Sequence, residues 1–324
     1  MKKVNSKKIG KNVIDLEIQA LKKLKSSINN SFNKAVSLIS NCQSKVILCG
    51  VGKSFIIAKK ISSTLSSVGS PSFSIAASEC SHGDLGSISK KDLLILISNS
   101  GNTEELKPVI QYAKRNKILL IAIVSKKNSI LYKAADVKLF IPEVKESGHG
   151  IVPTSSTTSQ LALGDALAIA SMNLKNFGRL DFKKFHPAGA LATKLKTVED
   201  LMLTGNKIPF IFEKSTMKKA LGLLSKTNLG VLIVRNKKKQ TVGIVTDGDL
   251  KRVIQKNKDF QNIQLHKIMT RNPISIDQNE LAVKALNLMT SKRKITTLCV
   301  YKNNKKNSTV GILHVHDILG ANIN

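Results

Sequence analysis

Ser98-Asn99-Ser100-Gly101-Asn102-Thr103 sets three hydroxyls and a glycine directly behind the apolar run Leu93-Leu94-Ile95-Leu96-Ile97. A buried strand ends there and a helix is expected to start. A helix start leaves backbone N–H groups unpaired beside the positive end of a dipole, so a phosphate sits well at such a turn. Ser98, Ser100 and Thr103 add donors, and Gly101 lets the backbone approach a ligand closely. The loop holds no Lys or Arg, so its grip is dipolar, which suits a small phosphorylated metabolite; a plain Ser/Gly-rich helix cap has the same composition. Gly50-Val51-Gly52-Lys53-Ser54 repeats the arrangement after Lys45-Val46-Ile47-Leu48-Cys49. A Walker A loop needs a glycine where Ile47 stands, and a dinucleotide fingerprint needs one where Phe55 stands, so neither is met. The remaining features are a glycine turn through Gly52 and a helix start carrying Lys53 and Ser54. They supply one cation and one hydroxyl to a phosphorylated ligand, or form a tight turn with a surface lysine.

Groups able to move protons surround these loops in sequence. His82 lies in Ser81-His82-Gly83-Asp84-Leu85-Gly86, accessible between small residues and able to act as acid, base or orienting donor. Glu104 and Glu105 fall in the first turn of the helix after the hydroxyl loop, where acids complement the dipole or serve as a base. Lys145-Glu146-Ser147-Gly148 and Phe185-His186-Pro187-Ala188-Gly189 add a carboxylate and an imidazole in stretches without helical periodicity. Carboxylates and imidazoles around a phosphate cradle, without metal-ligand spacing, are what proton-transfer chemistry needs.

The elements that must position these groups follow from periodicity. Residues 13–40 read as helical, with Ile14, Ile18, Leu21, Leu24 and Ile28 three or four apart. Strands are expected at 45–49, 72–75, 92–98, 119–124 and 137–141. Helices are expected at 54–68, 102–114, 130–135 and, entered through Pro153 and a Ser/Thr cluster, 154–177. Alternation of this kind implies a parallel sheet covered on both faces, with ligands outside the carboxyl ends of its strands.

Composition limits the classes of function. At 324 residues the chain has room for two or three domains, and no apolar run is long enough to span a bilayer. The basic start Met1-Lys2-Lys3-Val4-Asn5 is followed by no signal-type apolar segment. Cys42, Cys49, Cys80 and Cys299 lie far apart without CxxC spacing, so a zinc site or disulfide framework is not expected, and a reduced cytoplasmic protein is. The net charge of +31 suggests polyanion binding, yet only Arg115, Arg179, Arg235, Arg252, Arg271 and Arg293 are arginine and aromatics make up 4%. Base readers and stacking platforms are therefore scarce, and no nucleic-acid function is expected.

The second half repeats. Met202-Leu203-Thr204 recurs as Met269-Thr270, 67 residues on, and Val242-Gly243-Ile244 recurs as Val310-Gly311-Ile312, 68 residues on. Each copy holds an Ala-Leu-x-Leu helix (Ala220, Leu221, Leu223; Ala285, Leu286, Leu288), a strand (231–234; 297–301) and a Lys/Asn-rich hairpin. This is a tandem α/β duplication, joined to the first half by a linker at about 190–200.

The first half resembles a sugar isomerase (SIS) domain and the repeat resembles a pair of CBS modules. Their order and length are similar to the D-arabinose-5-phosphate isomerase family. The motifs are Gly50 to Ser54, Ser81 to Gly86, Ser98 to Gly101, Pro153-Thr154-Ser155-Ser156-Thr157-Thr158, Gly164-Asp165-Ala166-Leu167-Ala168 and His186-Pro187. The resemblance implies an α/β fold with an SIS-type parallel sheet over 1–195 and CBS repeats over 200–262 and 266–324. It implies interconversion of D-ribulose 5-phosphate and D-arabinose 5-phosphate through an enediol, supplying Kdo and lipopolysaccharide synthesis. Neither cofactor nor metal is implied, and a cytoplasmic homotetramer without membrane or nucleic-acid partners is.

Family roles carry over to Lys53, His82, Glu105, Glu146 and His186 as the catalytic set, with Gly52, Ser54, Ser98, Ser100, Gly101 and Thr103 holding the sugar phosphate. Glu146 would shuttle the proton between C1 and C2, with Glu105 the alternative. His186 would move protons between oxygens or open the ring, in a site shared across subunits. Lys53 and His82 would stabilise the developing oxyanion. Ser147-Gly148-His149-Gly150 replaces a longer segment containing cysteine and proline, and Ala188 stands where a glycine is usual. In the CBS pair Thr246, Asp249 and Asp317 match residues that hold adenylates, but His314 replaces the second copy's hydroxyl residue. A packing or regulatory role is therefore expected, with His314 and His316 alternating along a strand. The other readings are an isomerase or epimerase for a different sugar phosphate and a noncatalytic sugar-phosphate sensor, which has no use for a full acid/base set. A DNA-binding regulator would need a helix-turn-helix segment before the sheet.

Overall fold

The computed structural model describes residues 5–256, 258–291 and 295–323, with the side chains of residues 190 and 191 left aside. The basic stretch at residues 1–4 and Arg293 lie outside the described residues. The chain divides after Phe185 into two compact units.

The first unit runs α1 (Ser6–Ser27), α2 (Asn30–Ser40), β1 (Val46–Gly50), α3 (Lys53–Ser67), β2 (Ser72–Ala76), α4 (Ala77–Cys80), β3 (Leu93–Ser98), α5 (Leu106–Arg115), β4 (Leu119–Val124), α6 (Ile130–Ala134), β5 (Val137–Phe140), α7 (Ser155–Leu174) and α8 (Arg179–Phe185). The five strands form one sheet in the order β2-β1-β3-β4-β5, every pair parallel. Side chains alternate between two cores. Val46, Leu48, Ile95, Ile97, Ile121 and Ile123 pack under residues of α1, α2, α3 and α7, while Ile47, Cys49, Leu94, Leu96, Leu120 and Ala122 pack under α4, α5 and α6. Strand order reverses between β1 and β3, so the loops leaving their carboxyl ends diverge and leave a crevice. Gly50 to Ser54 and Ser98 to Thr103 are those two loops.

Three expectations are corrected. The helix read over 13–40 is two helices, because Ile28 turns to an extended conformation and Asn29 caps a new start by accepting the Ser31 N–H at 2.8 Å. The helix expected from Asn102 begins at Leu106. Gly101 adopts φ +67°, and single-turn bonds from Leu106 N–H to the Thr103 carbonyl and from Lys107 N–H to the Glu104 carbonyl precede the helix. The linker at 190–200 contains two short helices, α9 (Gly189–Lys194) and α10 (Val198–Leu201).

The second unit continues with β6 (Leu203–Thr204), β7 (Phe210–Phe212), α11 (Met217–Thr227), β8 (Val231–Arg235), β9 (Thr241–Thr246), α12 (Asp247–Lys256), β10 (Thr270–Arg271), β11 (Ser275–Asp277), α13 (Ala282–Thr290), β12 (Thr297–Tyr301), β13 (Thr309–His314) and α14 (Val315–Gly320). Its sheets are β10-β9-β8-β7 and β11-β12-β13-β6, so each copy lends its leading strand to the other's sheet. The exchange explains the repeated glycines. A Cβ on Gly243 would stand 2.7 Å from Met269 Sδ and 2.8 Å from the Thr270 carbonyl, and one on Gly311 would stand 2.3 Å from Met202 Sδ.

Close helix contact also fixes Gly164 on α7, where a Cβ would come within 2.2 Å of Ile61 Cδ1 on α3. We expect Gly164→Ala to lower the unfolding free energy by about 1–3 kcal/mol, the usual cost of overpacking. Gly243→Ala should cost a similar amount and loosen the strand exchange. Urea unfolding checks both, and an unchanged midpoint for either would contradict the contact at that glycine.

Candidate active site

The carboxyl ends of β1, β2 and β3 bring three of the sequence motifs to one edge of the sheet. Gly52 turns the chain with φ +55° and is the N-cap of α3, without a side-chain bond to the helix start. Lys53 is the first residue of α3 and is exposed, while Ser54 is half-buried. The Ser54 hydroxyl donates to Gln160 Oε1 of α7 at 3.4 Å. Gly50 is fixed by the same turn, since a Cβ there would meet the Ser54 backbone at 2.9 Å.

The hydroxyl loop after β3 is organised by its own side chains. Buried Ser98 Oγ accepts the Gly101 N–H at 3.0 Å and lies 2.9 Å from Thr103 Oγ1, while Ser100 Oγ accepts the Asn102 N–H at 3.3 Å. A neighbouring loop staples it from outside. The Asn99 side-chain oxygen accepts from Ser125 Oγ at 2.7 Å, and Asn102 Oδ1 accepts the Ile130 N–H at 2.9 Å. A Cβ on Gly101 would fall 2.2 Å from Ser129 Oγ, so only glycine fits. The N–H groups of Thr103, Glu104 and Glu105 have no acceptor among the described residues and open onto the helix start. Free amides and hydroxyls are thus gathered in one loop, the arrangement that can hold an anion.

The acid/base groups are distributed differently. Glu105 is exposed at the N-cap of α5, and Glu104 is paired with Lys107. His82 is exposed on the turn after α4, its N–H bonded to the Glu79 carbonyl at 2.9 Å and Gly83 following at φ +120°. His186 is the first residue of the second unit. Gly189 carries a positive φ of 87° and Ala188 does not, so the alanine there is unstrained.

Glu146 is held by two residues at the start of α7. Its Oε2 accepts the Thr154 N–H at 2.8 Å and the Thr154 hydroxyl at 3.2 Å, and its Oε1 accepts the Ser156 N–H at 3.2 Å. The carboxylate thereby occupies the head of α7, whose N-cap residue Thr154 makes no side-chain cap bond of its own. Burial works to raise the Glu146 pKa, but bonds from the Ser156 hydroxyl and from the Thr154 and Ser156 amides outweigh it, and the group stays below the usual carboxylate range. Gln160, which holds Ser54, lies four residues beyond Ser156 on the same helix, about 6 Å along its axis. Glu146 and the β1 loop therefore meet the same end of α7. The altered segment after Glu146 closes tightly, with Ser147 bridging to Val152 and Gly148, His149 and Gly150 all at positive φ.

Sequence reading missed the holding residues. Thr154, Ser156 and Gln160 stand in or beside the quoted Ser/Thr cluster, but nothing in that cluster says that its partner is a glutamate eight residues earlier. All four cysteines are free; Cys49 on β1 is buried, and its neighbour Cys80 together with burial pushes its thiol up.

In the second unit, Thr246 and Asp249 line a cavity of about 570 Å³ together with Arg252, Arg271, Thr297 and His314. Asp249 accepts from the Thr246 N–H at 2.9 Å and its hydroxyl at 2.8 Å, and pairs with Arg252. Asp317 likewise accepts the N–H three residues back, from His314 at 3.2 Å, and caps α14. The strand alternation expected for His314 and His316 is replaced by a strand end and a helix. Their rings stack 4.9 Å apart, and His314 Nδ1 accepts the His316 N–H at 3.2 Å.

The SIS domain model matches residues 38–170, and the CBS domain model matches 198–256 and 265–324. The arabinose 5-phosphate isomerase KdsD of Yersinia pestis is 40% identical over 322 residues, 99% of this chain and 97% of that protein. The Escherichia coli K12 enzyme of the same name is 39% identical over 316 residues, 97% and 95% of the two chains. A solved Escherichia coli CFT073 protein in complex with arabinose 5-phosphate is 37% identical with a TM-score of 0.55, covering 57% of this chain and all of that one.

Glu146→Gln keeps the shape and loses the anion at the helix head. Because the folded pKa is depressed, the charge stabilises above the ordinary glutamate range and that contribution is lost as pH falls through the folded value. We expect the variant to be about 1 kcal/mol less stable than the parent at pH 7, the usual worth of a helix cap. The gap should close in acid, and a gap independent of pH in urea titrations would contradict the assignment.

Proposed function

The chain belongs to the arabinose 5-phosphate isomerase family, an SIS domain followed by two CBS domains, and on that footing we propose that it interconverts D-ribulose 5-phosphate and D-arabinose 5-phosphate. The observation that carries the proposal is the ionised, half-buried Glu146 on the edge that also bears the anion cradle.

The phosphate is held by the hydroxyls of Ser54, Ser98, Ser100 and Thr103 and by the backbone at Gly52 and Gly101, which places the other end of the sugar over the acid/base groups. Glu146 takes a proton from C1 of the ketose. The C–H electron pair becomes the C1–C2 double bond of an enediol, and the C2 carbonyl oxygen takes up a proton. Glu146 then returns its proton to C2, the C1 hydroxyl gives up its own, and the aldose results with no net loss of atoms. Lys53 and His82 stabilise the oxygen while it is negative, His186 carries protons between the oxygens, and Glu105 is the alternative base.

The proposal extends to a cytoplasmic homotetramer whose product feeds Kdo and lipopolysaccharide synthesis. It is supported by exposed apolar surface at Ile9, Ile14 and Ile18 of α1 and by Ile56 of α3, which offer area for association. No described helix is long and apolar enough to cross a membrane. The domain limits 1–195, 200–262 and 266–324 belong to the same reading.

Incubating the protein with ribulose 5-phosphate should yield arabinose 5-phosphate, identified by chromatography against authentic aldose phosphates. Glu146→Gln should lower kcat at least ~100-fold, the usual worth of a positioned base. Formation of ribose 5-phosphate alone, or no turnover, would overturn the reaction, and full activity of the variant would overturn the base.

A further inference from the structure

The donors that hold Glu146 treat its two oxygens unequally. Thr154 directs both its N–H and its hydroxyl to Oε2, at 2.8 and 3.2 Å. The hydroxyl has one proton, and the competing acceptor, the Val152 carbonyl at 3.3 Å, is neutral, so the carboxylate takes it. The same hydroxyl oxygen accepts the Ser147 N–H at 3.1 Å, tying the segment that carries Glu146 to the head of α7. The Ser156 N–H is shared, 3.2 Å from Oε1 and 3.4 Å from Oε2, and the Ser156 hydroxyl also favours the charged form. A carboxylate offers about four lone-pair sites, two on each oxygen, and Oε2 takes both Thr154 bonds with a longer share of the Ser156 N–H, so it is the more heavily engaged oxygen.

On the reading that Glu146 moves the proton, we infer that Thr154 is a positioning residue: it fixes the carboxylate through Oε2 and leaves Oε1 as the oxygen that carries the proton between C1 and C2. The interaction is local. Glu143 and Lys145 flank Glu146, with Glu143 paired to Lys126, and His149 follows in the closed loop. On the helices packed together here, Asp165 of α7 pairs with Lys60 of α3, Lys53 opens α3, Lys34 belongs to α2, and α1 carries Lys22, Lys23 and Lys25 toward its end. None of these charges moves Glu146, whose titration is set by burial and hydrogen bonds.

Thr154→Val removes the hydroxyl and keeps the N–H, while Thr154→Ser restores the hydroxyl. Two readouts are needed: the acid limb of the kcat/KM pH profile, and the titration of the Glu146 carboxyl carbon followed by NMR. In Thr154→Val both should move up by about 0.5–1 pH unit, since one bond to the charged form is lost. kcat should fall roughly tenfold with KM little changed, as expected for misorientation of a reacting group. Thr154→Ser should return both readouts to the parent values, and cooperative urea unfolding confirms that each variant is folded. A carboxyl titration that stays put in folded Thr154→Val overturns the role of Thr154. A titration that moves while the acid limb does not overturns Glu146 as the base instead.

Discussion

The head of α7 must be satisfied inside the protein, and Glu146 is the group that does it. The helix is 20 residues long, and its first turns bury Ser155, Ser156, Ser159 and Gln160. Its opening amides therefore cannot all rely on water, and a buried donor left unpaired costs about 1–3 kcal/mol. Thr154 offers no cap bond of its own, so the chain returns a carboxylate from eight residues earlier. That requirement shapes the segment between. Ser147 bridges to Val152, and three successive residues take positive φ to close the loop in the available length. The same helix packs closely on α3 through Gly164, which brings Ser54 to Gln160. The anion and the loop of β1 are thereby gathered at one helix end.

The sheet was legible in the sequence because its strands are short apolar runs, buried on both faces and separated by periodic segments. Val46 to Gly50 and Leu93 to Ser98 are buried throughout, as such runs require. Helix starts were less legible. Asn29 splits the first helix by a bond to a backbone amide two residues on, a local effect inside a long periodic stretch. Gly101 delays α5 with a positive φ, packed so closely on Val124 and Ser129, more than 20 positions away, that a Cβ would clash with them. The motifs of the candidate site could be read, but their internal wiring could not. That Ser98 bonds to Thr103, and that Thr154 and Ser156 bond to Glu146, depends on backbone geometry that composition does not encode.

In the second unit the duplication was plain, and its physical cause appears only in three dimensions. Gly243 and Gly311 recur because each faces a methionine and a backbone carbonyl of the other copy's leading strand. The exchanged strands make each sheet depend on both copies. The matching polar positions have diverged inside this shared frame. Asp249 and Asp317 both accept the backbone N–H three residues back, at the heads of α12 and α14, but Asp249 also pairs with Arg252 while His314 turns to His316. Geometry preserved by packing has therefore been kept, while the side chains at its cavity have taken different partners.

The helix starts at the first unit's carboxyl edge differ in whether the protein fills them. α6 is capped by Ser129, which accepts the Tyr132 N–H, and α7 is capped by Glu146. α3 and α5 have no side-chain cap bond, and they are the two that follow β1 and β3 on either side of the crevice. Under the proposed function, the phosphate would meet positive helix ends without a side-chain cap at those two positions and an anion already in place at α7. In the proposed reaction this separation decides the outcome. A phosphate at the head of α7 would compete with Glu146 for the same amides and displace the base. Held at α3 and α5, it leaves Glu146 ionised and oriented, so the substrate's charge and the base's charge are each stabilised by a different helix.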